Sequence, residues 1–201
     1  ESRQLRSIES DNLNDYEFRV FSQWGEDGII QHLIRSVDIS TKYFVEFGVQ
    51  DYRESNTRFL LVNNNWSGLV MDASAENIQR IVNDLVYWAH DIKVARAFVT
   101  RDNINDLLRE NGVTGEIGLL SIDIDGNDFW IWRAIEVITP IIVVIEYNHR
   151  FGQQAAVTIA YKEKFDRTKT AHAPIYFGAS LQALCWLAHR KGYVCVGCSS
   201  N

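Results

Sequence analysis

Residues 43–48 (YFVEFG) and 118–126 (GLLSIDIDG) decide the fold, because each is a short apolar run that ends on acidic residues and a glycine. Apolar runs of about four to eight residues bounded by turn residues are typical of buried strands. Four further runs of this kind lie at 68–72 (GLVMD), 97–100 (AFVT), 141–147 (IIVVIEY) and 193–196 (YVCV). The sequence therefore predicts six short strands.

Apolar residues at helical spacing separate these predicted strands. The predicted helices cover residues 29–37, 59–61, 78–85, 104–108, 129–138 and 181–188. Short apolar strands that alternate with amphipathic helices are typical of a parallel sheet with helices on both faces. We therefore predict an α/β fold with a doubly wound, mostly parallel sheet.

Length and composition predict a single domain over residues 1–201. The chain has 201 residues, of which 46% are apolar and 23% charged, as in ordinary globular domains. Residues 1–40 are expected to form an N-terminal helical segment, and residues 149–178 show no clear periodicity. A connection that long in a compact domain is usually a lid over a site. The first residue is Glu1 rather than Met, which is compatible with a trimmed fragment.

Charge and cysteine content exclude several classes of protein. The net charge is −6 and no basic stripe is visible, which argues against nucleic-acid binding. No apolar run reaches the roughly 18–20 residues that span a bilayer. Cys195 and Cys198 form a CxxC pair, but Cys185 alone cannot complete a zinc site. We therefore expect buried, reduced thiols and a cytoplasmic protein, while the oligomeric state stays open.

Acidic residues stand at the ends of four predicted strands: Glu46, Asp72, Asp123 with Asp125, and Glu146. In open parallel sheets ligands bind at the carboxyl ends of the strands. A buried carboxylate without a partner costs several kcal/mol, so acids there need an explanation. Any single one is explained by helix capping or by solvent, but the recurrence favours a binding site.

The first strand end is typical of a nucleotide-type site. Gly48 allows a ligand to approach the backbone closely. Asp72 follows Glu46 by 26 residues, where it is well placed to accept hydrogen bonds from ribose hydroxyls. The dinucleotide fingerprint GxGxxG is absent, and so is a Walker loop, which argues against NAD, FAD and ATP.

Five segments, in this order and spacing, resemble the class I S-adenosylmethionine-dependent methyltransferases and, more narrowly, the FkbM-like family. They are residues 21–28 (FSQWGEDG), 45–48 (VEFG), 68–72 (GLVMD), 121–128 (SIDIDGND) and 144–148 (VIEYN). The resemblance implies a Rossmann-like methyltransferase fold, S-adenosylmethionine as cofactor and methyl transfer to a hydroxyl. The acceptor implied is a small molecule, such as a secondary metabolite, or a saccharide.

The resemblance also implies roles for individual residues. It assigns Glu46 and Gly48 to the methionine side, Asp72 to the ribose, the segment near Asp102 and Asn103 to the adenine, and Asp123 to the sulfonium. Gln23 is a further candidate cofactor-binding residue, beside Trp24 in a polar loop that could line the cofactor pocket. The chain departs from the family twice. Tyr52 stands where the family's turn commonly carries a glycine. The chain also ends at Asn201, so we expect that the last antiparallel strand is missing or that the sheet edge differs.

A metal site is a second inference from the strand ends. Asp123 and Asp125 are two residues apart, so in a strand they project to the same side, and Glu146 and Asn148 repeat that spacing. Oxygen ligands converging from neighbouring strands suit Mg²⁺. In the alternative, Asp123 binds cofactor, Asp125 caps the next helix and no metal binds.

Catalysis of O-methylation requires removal of the hydroxyl proton. His149 lies just past the fifth predicted strand, where it is either the general base or a surface histidine; His172 ranks lower. Asp125 is the second candidate catalytic residue. Two other functions stay open: a non-catalytic module of a larger polysaccharide-assembly protein, and a nicotinamide oxidoreductase.

Overall fold

A five-stranded, all-parallel sheet forms the centre of the molecule, with strand order β3-β2-β1-β4-β5. The computed structural model describes residue 10 and residues 12–152, 154–169 and 175–200. The strands are β1 (Tyr43–Phe47), β2 (Ser67–Asp72), β3 (Ile92–Arg96), β4 (Gly115–Ile122) and β5 (Ile138–Ile145). The helices are α1 (Glu26–Ser36), α2 (Arg58–Asn64), α3 (Ala75–Asn83), α4 (Leu85–Ala89), α5 (Ile104–Glu110), α6 (Asp128–Ala134) and α7 (Leu181–Arg190).

The strands bury side chains on both of their faces, because helices cover both sides of the sheet. Val45 and Phe47 of β1 pack into one apolar cluster with α5, α6 and α7. Phe44 packs into a second cluster with α1, α2, α3 and α4. Alternate residues of a strand point to opposite faces, so a single strand serves both cores. The predicted doubly wound α/β fold is confirmed.

The strand order places a crevice between β1 and β4. The chain runs outward from β1 through β2 to β3, and then returns to the other side of β1 to form β4 and β5. In such sheets, ligands bind at the carboxyl ends of the strands where the order reverses. A ligand site is therefore expected at the loops that follow β1 and β4.

Two predicted strands differ from the observed ones. The third strand covers Ile92–Arg96, not residues 97–100, because this edge strand alternates buried Ile92 with exposed Lys93 rather than forming an apolar run. The sixth predicted strand is wrong: residues 193–196 pair with no strand among the described residues. The tail is held elsewhere, since Cys198 O accepts from Asn14 Nδ2 and the Ser200 N–H donates to Glu17.

Residues 149–178, the predicted lid, contain two short 3₁₀ helices, at His149–Phe151 and Arg167–Lys169. Residues 170–174, and with them His172, lie outside the described residues. Within the predicted N-terminal helical segment the structure contains a 3₁₀ helix at Leu13–Tyr16 followed by α1.

The thiols are less buried than expected, because Cys195 is exposed and Cys185 and Cys198 are half-buried. In the part of the chain that the structure describes, no helix has both the length and the apolar character of a membrane span.

Candidate functional site

The loop after β1 keeps a left-handed backbone at every second residue. Gly48, Gln50 and Tyr52 have φ angles of +74°, +49° and +62°. Such angles suit glycine and are uncommon for other residues. Position 52, where the resemblance predicts a glycine, therefore has a glycine-like backbone although it holds a tyrosine. The Tyr52 side chain is fully buried, and its hydroxyl lies 3.0 Å from Thr57 Oγ1.

Glu46, the acid of β1, is buried and accepts hydrogen bonds from within the protein. Its carboxylate accepts from the hydroxyls of Ser55 (2.6 Å), Thr57 (2.5 Å) and Ser121 (3.2 Å). It also accepts from the backbone N–H groups of Asn56 and Thr57. Glu46 therefore ties β1 to β4 and to the start of α2, so the structure places it as a support of the crevice rather than as an open ligand group.

Asp72, at the end of β2, connects the loop after β1 to the start of α3. Its Oδ2 accepts from the Gln50 N–H at 2.9 Å, and its Oδ1 accepts from the Ser74 N–H and from Asn77 Nδ2. A carboxylate oxygen has two acceptor positions. Oδ2 therefore retains one for a further donor, such as a ribose hydroxyl.

The loops after β1 and β4 touch at the reversal of strand order. A Cβ atom on Gly48 would lie 1.9 Å from the carbonyl oxygen of Asp123. Only glycine allows this approach, and its N–H donates to Met71 O at 3.0 Å, which joins the loop to β2 as well. Gly48 therefore closes the floor of the crevice.

Three carboxylates from two neighbouring strand ends form a cluster on the rim, called here the acid cluster: Asp123, Asp125 and Glu146. One oxygen of each lies within 4.8 Å of the others. Strand alternation, which was predicted to place Asp123 and Asp125 on one side of the sheet, does not explain the cluster. The strand β4 ends at Ile122, and both aspartates lie in the loop beyond it. Asp125 has a φ of +56°, so a left-handed turn rather than strand alternation brings its carboxylate to Asp123.

Loss of hydration and like charge raise the pKa values of two members of the acid cluster, Asp123 and Glu146. Loss of hydration, followed by the charges of Asp128, Asp125 and Glu46, raises the pKa of Asp123 to about 7. Loss of hydration and the charges of Asp123, Asp128 and Asp125 raise the pKa of Glu146 to about 9, although Arg167 opposes this. One oxygen of Glu146, Oε2, is buried and accepts no hydrogen bond from the described residues.

Asp128 and Arg167 support the acid cluster. The sequence reasoning gave Asp128 no site role, and it expected Arg167, with Lys169, to contact an acidic or sugar substrate from the lid. Asp128 is fully buried and accepts from the N–H groups of Ile124 and Gly126 at 2.9 Å, which fixes the loop that carries Asp125. The spacing of Asp128 behind DIDG, at the first turn of α6, is the signal that could have found it. Arg167 donates to Asp125 Oδ1 and covers the ring of Phe177 at 4.4 Å.

Asn148, which the sequence predicts as a metal ligand, makes hydrogen bonds within the protein. Its amide nitrogen donates to the carbonyl oxygens of Ile175 (2.8 Å) and Phe177 (2.9 Å), and its Oδ1 accepts from the Arg150 N–H. The side chain is fully buried. Asn148 therefore holds residues 175–177 beside β5. His149 follows it and is exposed at the start of a 3₁₀ helix.

Gln23 and Asn103 lie in separate loops. Gln23 is exposed in the loop before α1. That loop is fixed by buried Asp27, whose Oδ2 accepts from the N–H groups of Val20, Phe21 and Ser22. Phe21 O in turn accepts from the Ser55 N–H, so the loop adjoins the turn after β1. Asn103 makes local bonds only, accepting from Thr100 N and donating to Phe98 O.

A cleft of about 840 Å³ opens beside the acid cluster. It is lined by four aromatic residues, three lysines, one alanine and one aspartate: Phe98, Tyr161, Phe165, Tyr176, Lys162, Lys164, Lys169, Ala160 and Asp166. Phe165 packs on Gly126, where a Cβ atom would lie 2.3 Å from the ring. Gly126 follows Asp125 directly, so the cleft and the acid cluster share one loop. A volume of this size is typical of small-molecule sites.

No family model matches the chain, and no curated protein matches it. A solved structure of an S-adenosylmethionine-dependent methyltransferase from Clostridium acetobutylicum ATCC 824 is similar, with a TM-score of 0.43 and 10% sequence identity. The match covers 68% of this chain and 56% of the other, so the chain spans little more than half the length of that protein.

Proposed function

We propose that this chain is an S-adenosylmethionine-dependent O-methyltransferase domain of the FkbM-like type, which acts on a hydroxyl of a sugar or secondary metabolite with the help of Mg²⁺. The acid cluster carries the proposal. Asp123, Asp125 and Glu146 approach within 4.8 Å at the carboxyl end of a parallel sheet, and Glu146 Oε2 is buried with no hydrogen-bond donor among the residues that the structure describes. Such a group of oxygens is stabilised by a bound cation.

The crevice between β1 and β4 is the proposed place for the cofactor. Asp72 Oδ2 retains an acceptor position for a ribose hydroxyl, and Gln50 holds that carboxylate in place through its N–H. Gly48 and Asp123 form the floor of the crevice, so Asp123 is adjacent to any group bound there. When bound, S-adenosylmethionine supplies an electrophilic methyl group. The chain's part is to hold the acceptor oxygen in line with that methyl group.

The donor set of the acid cluster fits a hard cation. Carboxylate oxygens are the protein ligands that Mg²⁺ prefers, and water molecules complete its octahedral shell. A bound Mg²⁺ lowers the pKa of a hydroxyl group beside it. Arg167 is the positive group that now pairs with Asp125, so it competes with a metal ion for that carboxylate. His149 stays the predicted base, since it lies on the same rim, three residues beyond Glu146.

Calorimetric titration with S-adenosylhomocysteine, with and without Mg²⁺, tests the proposal. We expect micromolar affinity for S-adenosylhomocysteine and a separate Mg²⁺ signal. Asp125→Asn is expected to weaken Mg²⁺ binding about tenfold or more and to leave S-adenosylhomocysteine affinity unchanged. The matched control is Asp106→Asn, because Asp106 is likewise paired with an arginine, Arg109, but lies on α5. Absence of S-adenosylhomocysteine binding in both conditions would refute the enzyme proposal.

A second candidate is a non-catalytic module that keeps the fold within a larger polysaccharide-assembly protein. The hydrogen bonding of Glu46 and Asn103 favours it, because both side chains are engaged within the protein rather than open to a cofactor. Such a module would bind the acceptor but transfer no methyl group to it. Radiolabelled methyl transfer to a panel of hydroxylated sugars separates the two candidates.

A further inference from the structure

We infer that the cleft beside the acid cluster binds a ring compound that carries a phosphate or carboxylate group, and that this anionic compound is the methyl acceptor. The role of this compound as methyl acceptor rests on the proposed function, whereas its binding site is defined by the cleft alone. Its lining combines aromatic rings with ammonium groups, and these two kinds of group recognise different parts of one ligand.

The charge of the lining favours an anion. Three lysines, Lys162, Lys164 and Lys169, line the cleft against one acid, Asp166. Asp166 pairs with Lys169 at 2.7 Å, which leaves the charges of Lys162 and Lys164 unpaired with any carboxylate of the described residues. Residues 149–178 contain five basic and two acidic residues, in a chain whose net charge is −6. A local positive field on an acidic protein attracts anions to that place.

The aromatic part of the lining favours a ring. Tyr161 is held between Trp130, at a centroid distance of 6.3 Å, and the guanidinium of Arg101, at 4.0 Å. Phe165 and Tyr176 pack together at 6.3 Å, and Phe98 is half exposed at the end of the sheet. Flat apolar surfaces of this kind bind the face of an aromatic or pyranose ring. The lysines then contact a charged substituent at its edge.

The position of the cleft places a bound ring beside the acid cluster. Phe165 lies on Gly126, and Arg167, two residues further on, reaches Asp125. A hydroxyl on the ring would therefore face the loop that carries Asp125 and Asp123. The loop that carries Asp123 and Asp125 adjoins the cleft through Gly126, and the lysines line the wall of the cleft. A ring stacked on Phe165 would therefore turn a hydroxyl toward this loop and its anionic group toward the lysines.

Tryptophan fluorescence measures binding to this cleft, because Trp130 contacts Tyr161 in its wall. The probes are glucose 6-phosphate, glucuronate and glucose, titrated into the full chain saturated with S-adenosylhomocysteine. We expect both anions to bind and glucose to bind at least about tenfold more weakly. These titrations compare phosphate and carboxylate directly, and the anion that binds more tightly identifies the chemical class of the ligand. Raising NaCl from about 0.05 to about 0.5 M should weaken the anions and leave glucose unchanged.

Substitution of the lysines tests the recognition. The double variant Lys162→Gln/Lys164→Gln should weaken the tighter anion about tenfold, since each partly solvated charge contributes up to about fivefold. Lys42→Gln is the matched control, because Lys42 is exposed just before β1, at the opposite end of the sheet. Equal binding of glucose and the two anions, or an unchanged affinity in the double variant, would overturn the inference.

The two proposals fail in different ways. If S-adenosylhomocysteine does not bind, the methyltransferase proposal fails, and the same titrations on the unloaded protein still test the anion site. If S-adenosylhomocysteine binds and then excludes both anions, the cleft is part of the cofactor site and the acceptor inference is overturned. If the double variant loses the anion but keeps S-adenosylhomocysteine affinity, both proposals are supported.

Discussion

A Cβ atom on Gly48 would lie 1.9 Å from the carbonyl oxygen of Asp123, so the loops after β1 and β4 are in direct backbone contact. Two loops that are 75 residues apart in the sequence thereby form a single floor. The loop after β1 packs against the loop after β4, and this contact fixes the position of the acids in the loop after β4.

Gly48→Ala is expected to destabilise the fold by about 3 kcal/mol or more, because a methyl group would collide with backbone in addition to straining a φ of +74°. The free energy of unfolding from urea titration measures this. Gly112→Ala is the matched control: its φ is +78°, but beyond its chain neighbours no atom of the described residues lies within 4 Å of the added methyl, so only the conformational cost of about 1–2 kcal/mol applies. Equal losses in the two variants would show that the loops can separate.

The ion-free protein is expected to lose stability as the pH rises from about 6 to 9. The folded pKa of Asp123 is raised from 3.8 to about 7, and that of Glu146 from 4.5 to about 9. A carboxyl group with a raised folded pKa stabilises the fold below its unfolded pKa, and this contribution is lost progressively up to the folded pKa, by about pH 7 for Asp123 and about pH 9 for Glu146. Even a shift reduced by solvent to about one unit corresponds to about 1.4 kcal/mol.

Glu146→Gln should therefore flatten the pH dependence of the unfolding free energy measured in EDTA. Glu163→Gln, at an exposed acid of residues 149–178, is the control and should leave it unchanged. A wild-type stability that stays level or rises between pH 6 and 9 contradicts the pKa assignment.

Asn148→Asp separates a positioning role from a metal-binding one. The new carboxylate would face the carbonyl oxygens of Ile175 and Phe177, which now accept from the amide, so we expect a loss of about 2–4 kcal/mol. Faster amide hydrogen exchange across residues 175–180 should accompany it. A metal ligand would behave differently, because a carboxylate in place of an amide would tighten Mg²⁺ binding. Tighter Mg²⁺ binding with unchanged amide hydrogen exchange would show that residue 148 is a metal ligand.

Arg167→Gln is expected to strengthen Mg²⁺ binding about fivefold or more. Arg167 donates to Asp125, so its removal eliminates a cation that competes for the same oxygen. Isothermal titration with MgCl₂ measures the effect, and Arg150→Gln, an exposed arginine near the same rim, serves as the control. A weaker or unchanged Mg²⁺ affinity in Arg167→Gln would show that the arginine does not compete for the ion.

The sequence predicts β1, β2, β4 and β5 well, because each contains an apolar run of strand length, although β5 lies at one edge of the sheet. It fails at the other edge strand, β3, and at the segment after α7. In β3 the exposed Lys93 breaks the run, and at Tyr193 the apolar residues follow α7 without pairing to β5, since the Tyr193 side chain contacts Pro140 instead. The positions of these segments depend on local contacts, which the spacing of apolar residues does not predict.

The acid cluster was predictable in its members but not in its geometry. Asp123, Asp125 and Glu146 stand at the strand ends where acids were expected to meet, and they do meet. Their approach depends on the left-handed backbone of Asp125 and on the hydrogen bonds of Asp128, which are set by the folded loop. Glu46 and Asn148 show the converse, since polar residues at strand ends also serve to hold loops. Only the identity of their donors and acceptors distinguishes these uses.

The buried side chain of Tyr52 anchors the loop after β1. Its ring is buried beneath a turn of unusual dihedral angles, and Gln50 is tied to Asp72 in the same turn. A glycine at either position would leave the unfolded chain more freedom to lose. An incoming molecule would therefore meet a turn whose shape is already set, and little of the binding energy would go into arranging it.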